Sequence, residues 1–391
     1  MEFISGSSLS IRDIFMSPGW DSFYATNYHN IRPVVIESIT KILACGSGDN
    51  GYATFSCQCG EISRVPFTCK NRFCSKCGKV ACDMWMNRVL SWALPNITYR
   101  HIVFTIPEEL RLYILMNRKD GIDILFKASK DTLIQFCNTY HHAIPGLISV
   151  IHTFGSDIKW NPHCHVITTS GGLSEDKNHW IPFSFMTYQK LRCVWKEVLT
   201  LLLQQWASQH LFGDELFQFN QLLRHLAYKH WYVNVGDPLD SLAHTIQYIG
   251  RYSKRPVMAE TRLLHMDEHN IHFSYKDKDT KKNTPMSLPI HEFIARLIRH
   301  IPEKNHRMIR YSGLFANRIK SISLNLISNI LSVSQQCLYY FIPPPMSWRD
   351  RIILSSGKDP LACSLCGSIM ILSSITFRNR FGILKTRLFP P

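Results

Sequence analysis

Seven cysteines crowd into the 38 residues from Cys45 to Cys82, out of 13 in a chain of 391. Reduced thiols at that density are a ligand set, and a metal bound by them decides how the surrounding chain folds. Zinc takes four thiolate or imidazole ligands in a tetrahedron. A pair of cysteines at a tight turn followed by glycine presents two of the four. The order is Cys45, Cys57-Gln-Cys59-Gly60, then Cys69-Lys-Asn-Arg-Phe-Cys74-Ser-Lys-Cys77-Gly78. Cys74-x-x-Cys77-Gly has the usual form of such a knuckle, and Cys57-x-Cys59-Gly is one residue short of it. The expected zinc ligands are therefore Cys57, Cys59, Cys74 and Cys77. Cys45 and Cys69 are further candidates, and Cys82 or His29 could substitute or complete a second site. Cys363-Ser-Leu-Cys366-Gly367 is a half-site for which the tail offers no partner pair.

The zinc reading presumes a reducing compartment. The opening stretch MEFISGSSLSIRDIF lacks a basic segment followed by a long apolar run, and no window has the length of uninterrupted apolar residues that a membrane helix needs. A cytoplasmic protein with no membrane partner is expected, in which thiols stay reduced. The chain carries 44 Lys and Arg against 29 Asp and Glu, a net charge of +15. That excess points to a polyanionic partner. Arg64, Lys70, Arg72, Lys76 and Lys79 surround the cysteines, which favours contact between the zinc module and a DNA backbone.

Apolar spacing after Pro33 predicts a helix before the cysteines, and residues 78–94 predict another after them, so 1–95 reads as a helix-flanked zinc module. Beyond it strand-like and helix-like runs alternate. Strands are expected at Tyr99–Ile106, Leu147–Phe154, His163–Thr169 (closed by Gly171-Gly172), Trp231–Val235 and Ile271–Tyr275. Helices are expected over 108–141 (two, split near Asp120-Gly121), 185–211, Ser241–Tyr252 and 289–300. This order suits an α+β domain with an antiparallel sheet over 96–320. Residues 321–391 read as a basic C-terminal segment carrying the half-site, with a hinge at Pro343-Pro344-Pro345.

Two short motifs carry chemistry. His163-Cys164-His165 places two imidazoles on one face of a strand, where they can share a metal. His152, in the preceding strand, joins them if the two strands form a hairpin. Tyr248 and Tyr252 stand four residues apart on a helix, hence on one face, with Arg251, Lys254 and Arg255 around them for binding DNA. A phenol of pKa near ~10 needs neighbouring cations and a polarised phosphate to act as a nucleophile. Attack on a phosphodiester gives a phosphotyrosine that stores the bond for rejoining.

The ordered set of a cysteine cluster, a His-x-His strand and a Tyr-x-x-x-Tyr helix running into Lys-Arg-Pro resembles the two-tyrosine HUH transposases of the IS91 type. Ile271-His-Phe-Ser-Tyr-Lys-Asp277, Glu292-Phe-Ile-Ala-Arg-Leu-Ile-Arg-His300, Ile309-Arg-Tyr-Ser-Gly-Leu-Phe-Ala316 and Asp359-Pro-Leu-Ala-Cys363 extend the likeness over residues 20–370. The resemblance implies an HUH nuclease domain and rolling-circle transposition of an insertion sequence. His163 and His165, with His152 as third ligand, would hold Mg or Mn; an all-imidazole set suits Mn at least as well as the harder Mg. Tyr248 and Tyr252 would each form a 5′-phosphotyrosine link to single-stranded DNA at the element's ends and the target. Zinc would be structural. A bacterial cytoplasmic enzyme, nucleoid-associated when on DNA and open to host replication factors, follows. Two departures stand out, the shortened first knuckle and Cys164 in place of a larger apolar residue. The rival readings are a rolling-circle replication initiator or relaxase, a non-catalytic zinc DNA-binding protein, and a metal-dependent hydrolase that forms no adduct.

Overall fold

The structure, a computed structural model, describes residues 9–94, 97–183, 186–239, 242–254, 257–277, 280–331, 347–379 and 381–389, except for the side chains of 247, 251–254 and 354–356. The side chains of Arg251, Tyr252 and Lys254, all of Arg255, and the expected hinge at 343–345 lie outside the described residues.

The chain opens with three helices, α1 (Ile11–Met16), α2 (Pro18–Asn27) and α3 (Pro33–Leu43). Ser10 starts α1 through a reciprocal capping box with Asp13, and Pro18 and Pro33 occupy first turns, where a missing N–H costs nothing. A hairpin of β1 (Gly51–Ser56) and β2 (Ile62–Pro66) follows, then α4 (Ser75–Leu90). The central part runs β3 (Tyr99–Phe104), α5 (Glu108–Met116), α6 (Arg118–His141), β4 (Ala143–Phe154), β5 (Trp160–Ser174), β6 (Trp180–Pro182), α7 (Tyr188–His210), α8 (Gly213–Ala227), β7 (Val233–Pro238) and α9 (Leu242–Lys254). Then come β8 (Leu263–Met266), β9 (Asn270–Lys276), β10 (Asn283–Pro289), α10 (Ile290–Arg299), β11 (Ile309–Gly313) and α11 (Lys320–Ile330). The tail adds α12 (Trp348–Ser356), β12 (Ile371–Arg378) and β13 (Leu384–Leu388). This is an α+β fold.

Its centre is an antiparallel sheet of order β11-β4-β5-β3-β7, with β6 added to the end of β5. Both faces are covered. Ile102, Phe104, Leu147, Ile151, Cys164 and Val166 point into a core with α5–α8, where Trp195, Phe136 and Phe219 are fully buried. Alternate residues, among them Ile148, Val150 and Ile167, meet Trp85 and Val89 of α4, Ile246 and Ile249 of α9, and Leu324 and Ile327 of α11. Apolar residues thus occupy both faces of the central strands.

Of the boundaries that differ from the sequence reading, two involve glycines. The helical break lies at Asn117, whose backbone leaves the helical region (φ −108°, ψ 50°), and Asp120 and Gly121 fall inside α6. Gly171 and Gly172 do not end β5, which continues to Ser174. They let neighbours approach: a Cβ on Gly171 would lie 2.6 Å from the Trp180 ring, and one on Gly172 would lie 2.5 Å from the Ile144 carbonyl oxygen.

The cores cross the linear boundaries drawn at 95 and 320. Helices α1–α3 share a core with α10 and the sheet β10-β9-β8, through Phe15, Val35, Ile39, Phe273, Phe293 and Leu297. The tail strand β12 pairs with β1, so the N-terminal hairpin and the C-terminal segment form one sheet, β13-β12-β1-β2. Among the described residues no helix is long and apolar enough to cross a membrane.

Candidate active site

Strands β4 and β5 pair so that His152 faces His163 directly. Side chains alternate along a strand, which puts His165 on the same face as His163, turned toward α4 and α9. One nitrogen from each of His152, His163 and His165 lies within 4.8 Å of the others. Burial, and then the neighbouring imidazoles, push His152 and His165 well below the ordinary histidine range. Both are neutral, the form in which imidazole binds metal.

The hydrogen bonds orient the rings. His163 Nδ1 is 2.7 Å from the carbonyl oxygen of Asn161 and donates to it, which leaves Nε2 with its lone pair. His165 Nδ1 is 2.8 Å from Nε2 of His101, in the adjacent strand β3. His165 Nε2 is buried without a hydrogen-bond partner. If His165 Nδ1 carries the proton and donates to His101, that orphaned atom is a lone pair aimed at the cluster rather than a stranded N–H. An orphaned imidazole nitrogen beside two further imidazoles fits a borderline divalent ion. The sequence reading passed over His101. Its only signal was its place within the expected strand Tyr99-Arg-His-Ile-Val-Phe104, beside Arg100. Burial pulls His101 down to about 4.

Tyr248 on α9 stands over this face, its ring 6.4 Å from that of His165 and edge-on to it at 72°. It is 49% exposed, so it is open to a strand of DNA while seated at the cluster. Helix α9 is held there twice. His152 Nε2 lies 3.3 Å from the Ile249 carbonyl oxygen. Gly250 rests on α4, where an added Cβ would be 2.9 Å from Trp85 and 3.0 Å from Cys82 Sγ. Trp85 is itself fixed by donating its Nε1 hydrogen to the Tyr311 hydroxyl at 2.8 Å. Tyr252 belongs to the same helix, one turn on. Cys164, between the two ligand histidines, points the other way, with its Sγ 3.3 Å from the Ser129 hydroxyl in α6.

The cysteines sort into two groups of four, which differs from the grouping expected from spacing. Cys74 and Cys77 gather with Cys45 and Cys69. The Sγ separations are 3.7 Å for Cys45–Cys77, 3.6 Å for Cys69–Cys77 and 3.7 Å for Cys74–Cys45. Cys57 and Cys59 are not in that group. They meet Cys363 and Cys366, at 3.4 Å for Cys57–Cys366 and 3.6 Å for Cys59–Cys363. The partner pair absent from the tail is therefore the N-terminal hairpin, brought alongside by the β1–β12 pairing. A tetrahedral zinc with bonds of ~2.3 Å needs sulfurs ~3.8 Å apart, close to all five separations and far from a disulfide. Hydrogen bonds from Cys69, then Cys74, lower Cys77 to about 2, and Ser368 is the main cause that lowers Cys366 to about 6. Cys82 joins neither group and packs on α9 instead.

Of the basic residues around the cysteines, Lys76 and Lys79 are exposed and Arg64 lies over the Tyr52 ring at 5.3 Å. Arg72 turns inward to a small cavity that His152 also lines, and burial lowers it to about 10.

Comparison with known proteins agrees with these features. A family model described as "Transposase zinc-binding domain" matches residues 15–106, and one described as "Putative transposase" matches 146–322. The chain is 30% identical over 358 residues to the transposase for insertion sequence element IS801 of Pseudomonas savastanoi pv. phaseolicola, covering 88% of this chain and 84% of the relative. It is 27% identical over 377 residues to "Putative transposase y4qJ" of Sinorhizobium fredii (strain NBRC 101917 / NGR234), covering 92% and 93%. No solved structure gives a significant match.

Proposed function

Because the chain belongs to the IS91 family of transposases, with a zinc-binding domain toward its N-terminus, we propose that it cuts and rejoins single-stranded DNA through tyrosine nucleophiles. The observation that carries this reading is the seat of Tyr248, against the ring of a buried three-histidine cluster yet open to solvent. His152, His163 and His165 would hold Mg or Mn, which supplies polarisation of the scissile phosphate when bound. Tyr248 would act as a nucleophile. Its phenolic oxygen gives up its proton and forms a bond to phosphorus, the bond from phosphorus to the 3′ oxygen breaks, and that oxygen takes up a proton to leave as a 3′-hydroxyl. The DNA remains as a 5′-phosphotyrosine ester, so a 3′-hydroxyl can reverse the step without an energy source. Tyr252, on the same helix, would hold a second end, with Arg251, Lys254 and Arg255 binding the strand. Two nucleophiles let one cut be kept while another is made, as rolling-circle transposition between element ends and target requires. The enzyme would work on bacterial DNA in the cytoplasm, with host replication factors supplying synthesis. Structural zinc would lie on Cys45, Cys69, Cys74 and Cys77, and a second zinc on Cys57, Cys59, Cys363 and Cys366.

The test is a denaturing gel of purified protein with Mn or Mg and single-stranded DNA from the element's ends. A covalent adduct is expected that needs metal, weakens with Tyr248→Phe and vanishes in the Tyr248→Phe/Tyr252→Phe protein. Cleavage without an adduct would mean a hydrolase. DNA binding without cleavage on every end would support a zinc DNA-binding protein instead.

A further inference from the structure

Arg72 stands on the loop between Cys69 and Cys74, and that loop is tightly built. Lys70 takes a left-handed conformation (φ 52°). The Asn71 amide donates to Cys69 Sγ at 3.4 Å, and Asn71 Oδ1 accepts from the Phe73 amide at 2.8 Å. A loop so fixed holds its arginine in one direction. That direction is inward: Arg72 lines a cavity with Ile151, His152 and Thr153 of β4 and with His300.

What the arginine meets there is the anomaly. Among the described residues no carboxylate lines the cavity. Among the described residues its guanidinium makes no hydrogen bond and no ion pair. Arg72 is only partly buried and its nitrogens keep contact with solvent, so a phosphate can reach them without entering the cavity, which has room for about one water. Here a cation shares its cavity with a histidine of the candidate metal cluster, whose bound ion would add two more positive charges. Such a place calls for an anion, and none of the described residues around it supplies one. A phosphodiester does: it is negative, and its paired non-bridging oxygens match the planar fork of a guanidinium.

We propose that Arg72 is a phosphate-binding residue of the active site, carried there by the zinc loop and placed to hold the scissile phosphodiester beside the histidine cluster. This rests on the nuclease reading above, and it gives the zinc loop a part in the reaction: the metal that shapes the loop also aims the arginine. Arg72 neither gives nor takes a proton. It neutralises charge on the phosphate oxygens, most where that charge grows, in the pentavalent transition state.

The experiment separates binding from chemistry. In the cleavage-deficient Tyr248→Phe/Tyr252→Phe protein with Mn, a labelled single-stranded oligonucleotide from an element end is titrated at several salt concentrations. Adding Arg72→Met is expected to lower affinity about tenfold and to flatten the salt dependence by ~0.7, the share of one phosphate contact on a single strand. In the protein that keeps its tyrosines, Arg72→Met is expected to slow adduct formation ~10²–10³-fold. Arg72→Lys, a point charge without the fork, should recover the salt slope but only part of the rate. Zinc content equal to the parent's shows that the loop is intact. Unchanged affinity and slope in Arg72→Met would overturn the proposal whether or not the chain cleaves DNA. Should Arg72→Met lose zinc, Arg72→Lys decides, and a parent-like adduct rate there would overturn it. An Arg72-dependent affinity in a parent protein that forms no adduct would keep the phosphate site and sink the tyrosine mechanism.

Discussion

Replacing Cys363 and Cys366 by serine should release the tail from the N-terminal hairpin while the central sheet stays folded. The magnitude follows from what else holds the tail. Helix α11 ends at Ile330, so docking Cys363 closes a loop from there, at an entropic cost of about 3 kcal/mol. Ordering the eight residues of β12 costs about 1 kcal/mol each or more. Against this stands a small core of Phe55, Cys57, Cys363 and Met370. Burying Phe55 and Met370 contributes roughly 1.5–3 kcal/mol apiece. Strand pairing along Gly51–Ser56 adds net hydrogen-bond energy of roughly 1 kcal/mol per bond. These terms come out near zero, whereas a structural zinc contributes about 10–16 kcal/mol. Helix α12 adds contacts of its own, with Trp348 stacked on Phe55 and Arg351 donating to Met84 Sδ of α4, and the zinc is the largest single contribution to docking β12. Elemental analysis should find two zinc ions per parent chain and one in Cys363→Ser/Cys366→Ser. Hydrogen exchange should show loss of protection over 371–378, with β4 and β5 unchanged. One zinc in the parent, or an unaltered β12 in the variant, would refute the reasoning.

Three further outcomes are expected. His101→Asn should weaken metal binding at the histidine cluster 10–100-fold by titration calorimetry, the usual cost of losing a supporting partner to a ligand imidazole; unchanged affinity would mean that the His101–His165 contact orients nothing. Gly250→Ala should cost about 1–3 kcal/mol in a denaturant melt, because its methyl collides with Trp85 and Cys82, and Trp85→Leu should relieve it. Acid should destabilise the protein through His300, which burial holds at about 4 in a site where it bonds Thr153 and the Ile158 carbonyl. Its folded value lies below the unfolded 6.5, so its contribution is complete above about pH 6.5 and lost as pH falls toward 4, about 3 kcal/mol in all. Urea midpoints at pH 7 and 4.5 check this, and His300→Gln should flatten the dependence.

The elements of the site were legible in the chain wherever a short-range pattern carried them. His163 and His165 share a face because any strand alternates, and Tyr248 and Tyr252 share a helix because the apolar spacing there is helical. His152 could be named, but its place opposite His163 depends on a hairpin register that spacing does not encode. His101 was missed because β3 reaches β5 only after two helices and β4 intervene. The cysteine grouping failed for the same reason. Local spacing pairs Cys57-x-Cys59 with the next knuckle along, while the fold gives it a partner more than three hundred residues away, through a strand pairing that no local signal announces.

That long-range closure has a mechanical consequence for the site. Helix α4 starts directly after Cys74, a member of one cysteine group, and presents Cys82 and Trp85 to Gly250 two residues from Tyr248. The loop before α4 carries Arg72 to the cavity beside His152. One cysteine group thus sets both the height of the tyrosine helix above the histidines and the direction of the cavity's cation. A zinc module serving only to recognise DNA would need neither contact. Because both are made by the loop and the helix that carry its cysteines, the module is packed into the candidate site, and on the proposed mechanism its metal would bear on the geometry of cleavage as well as on the stability of the fold.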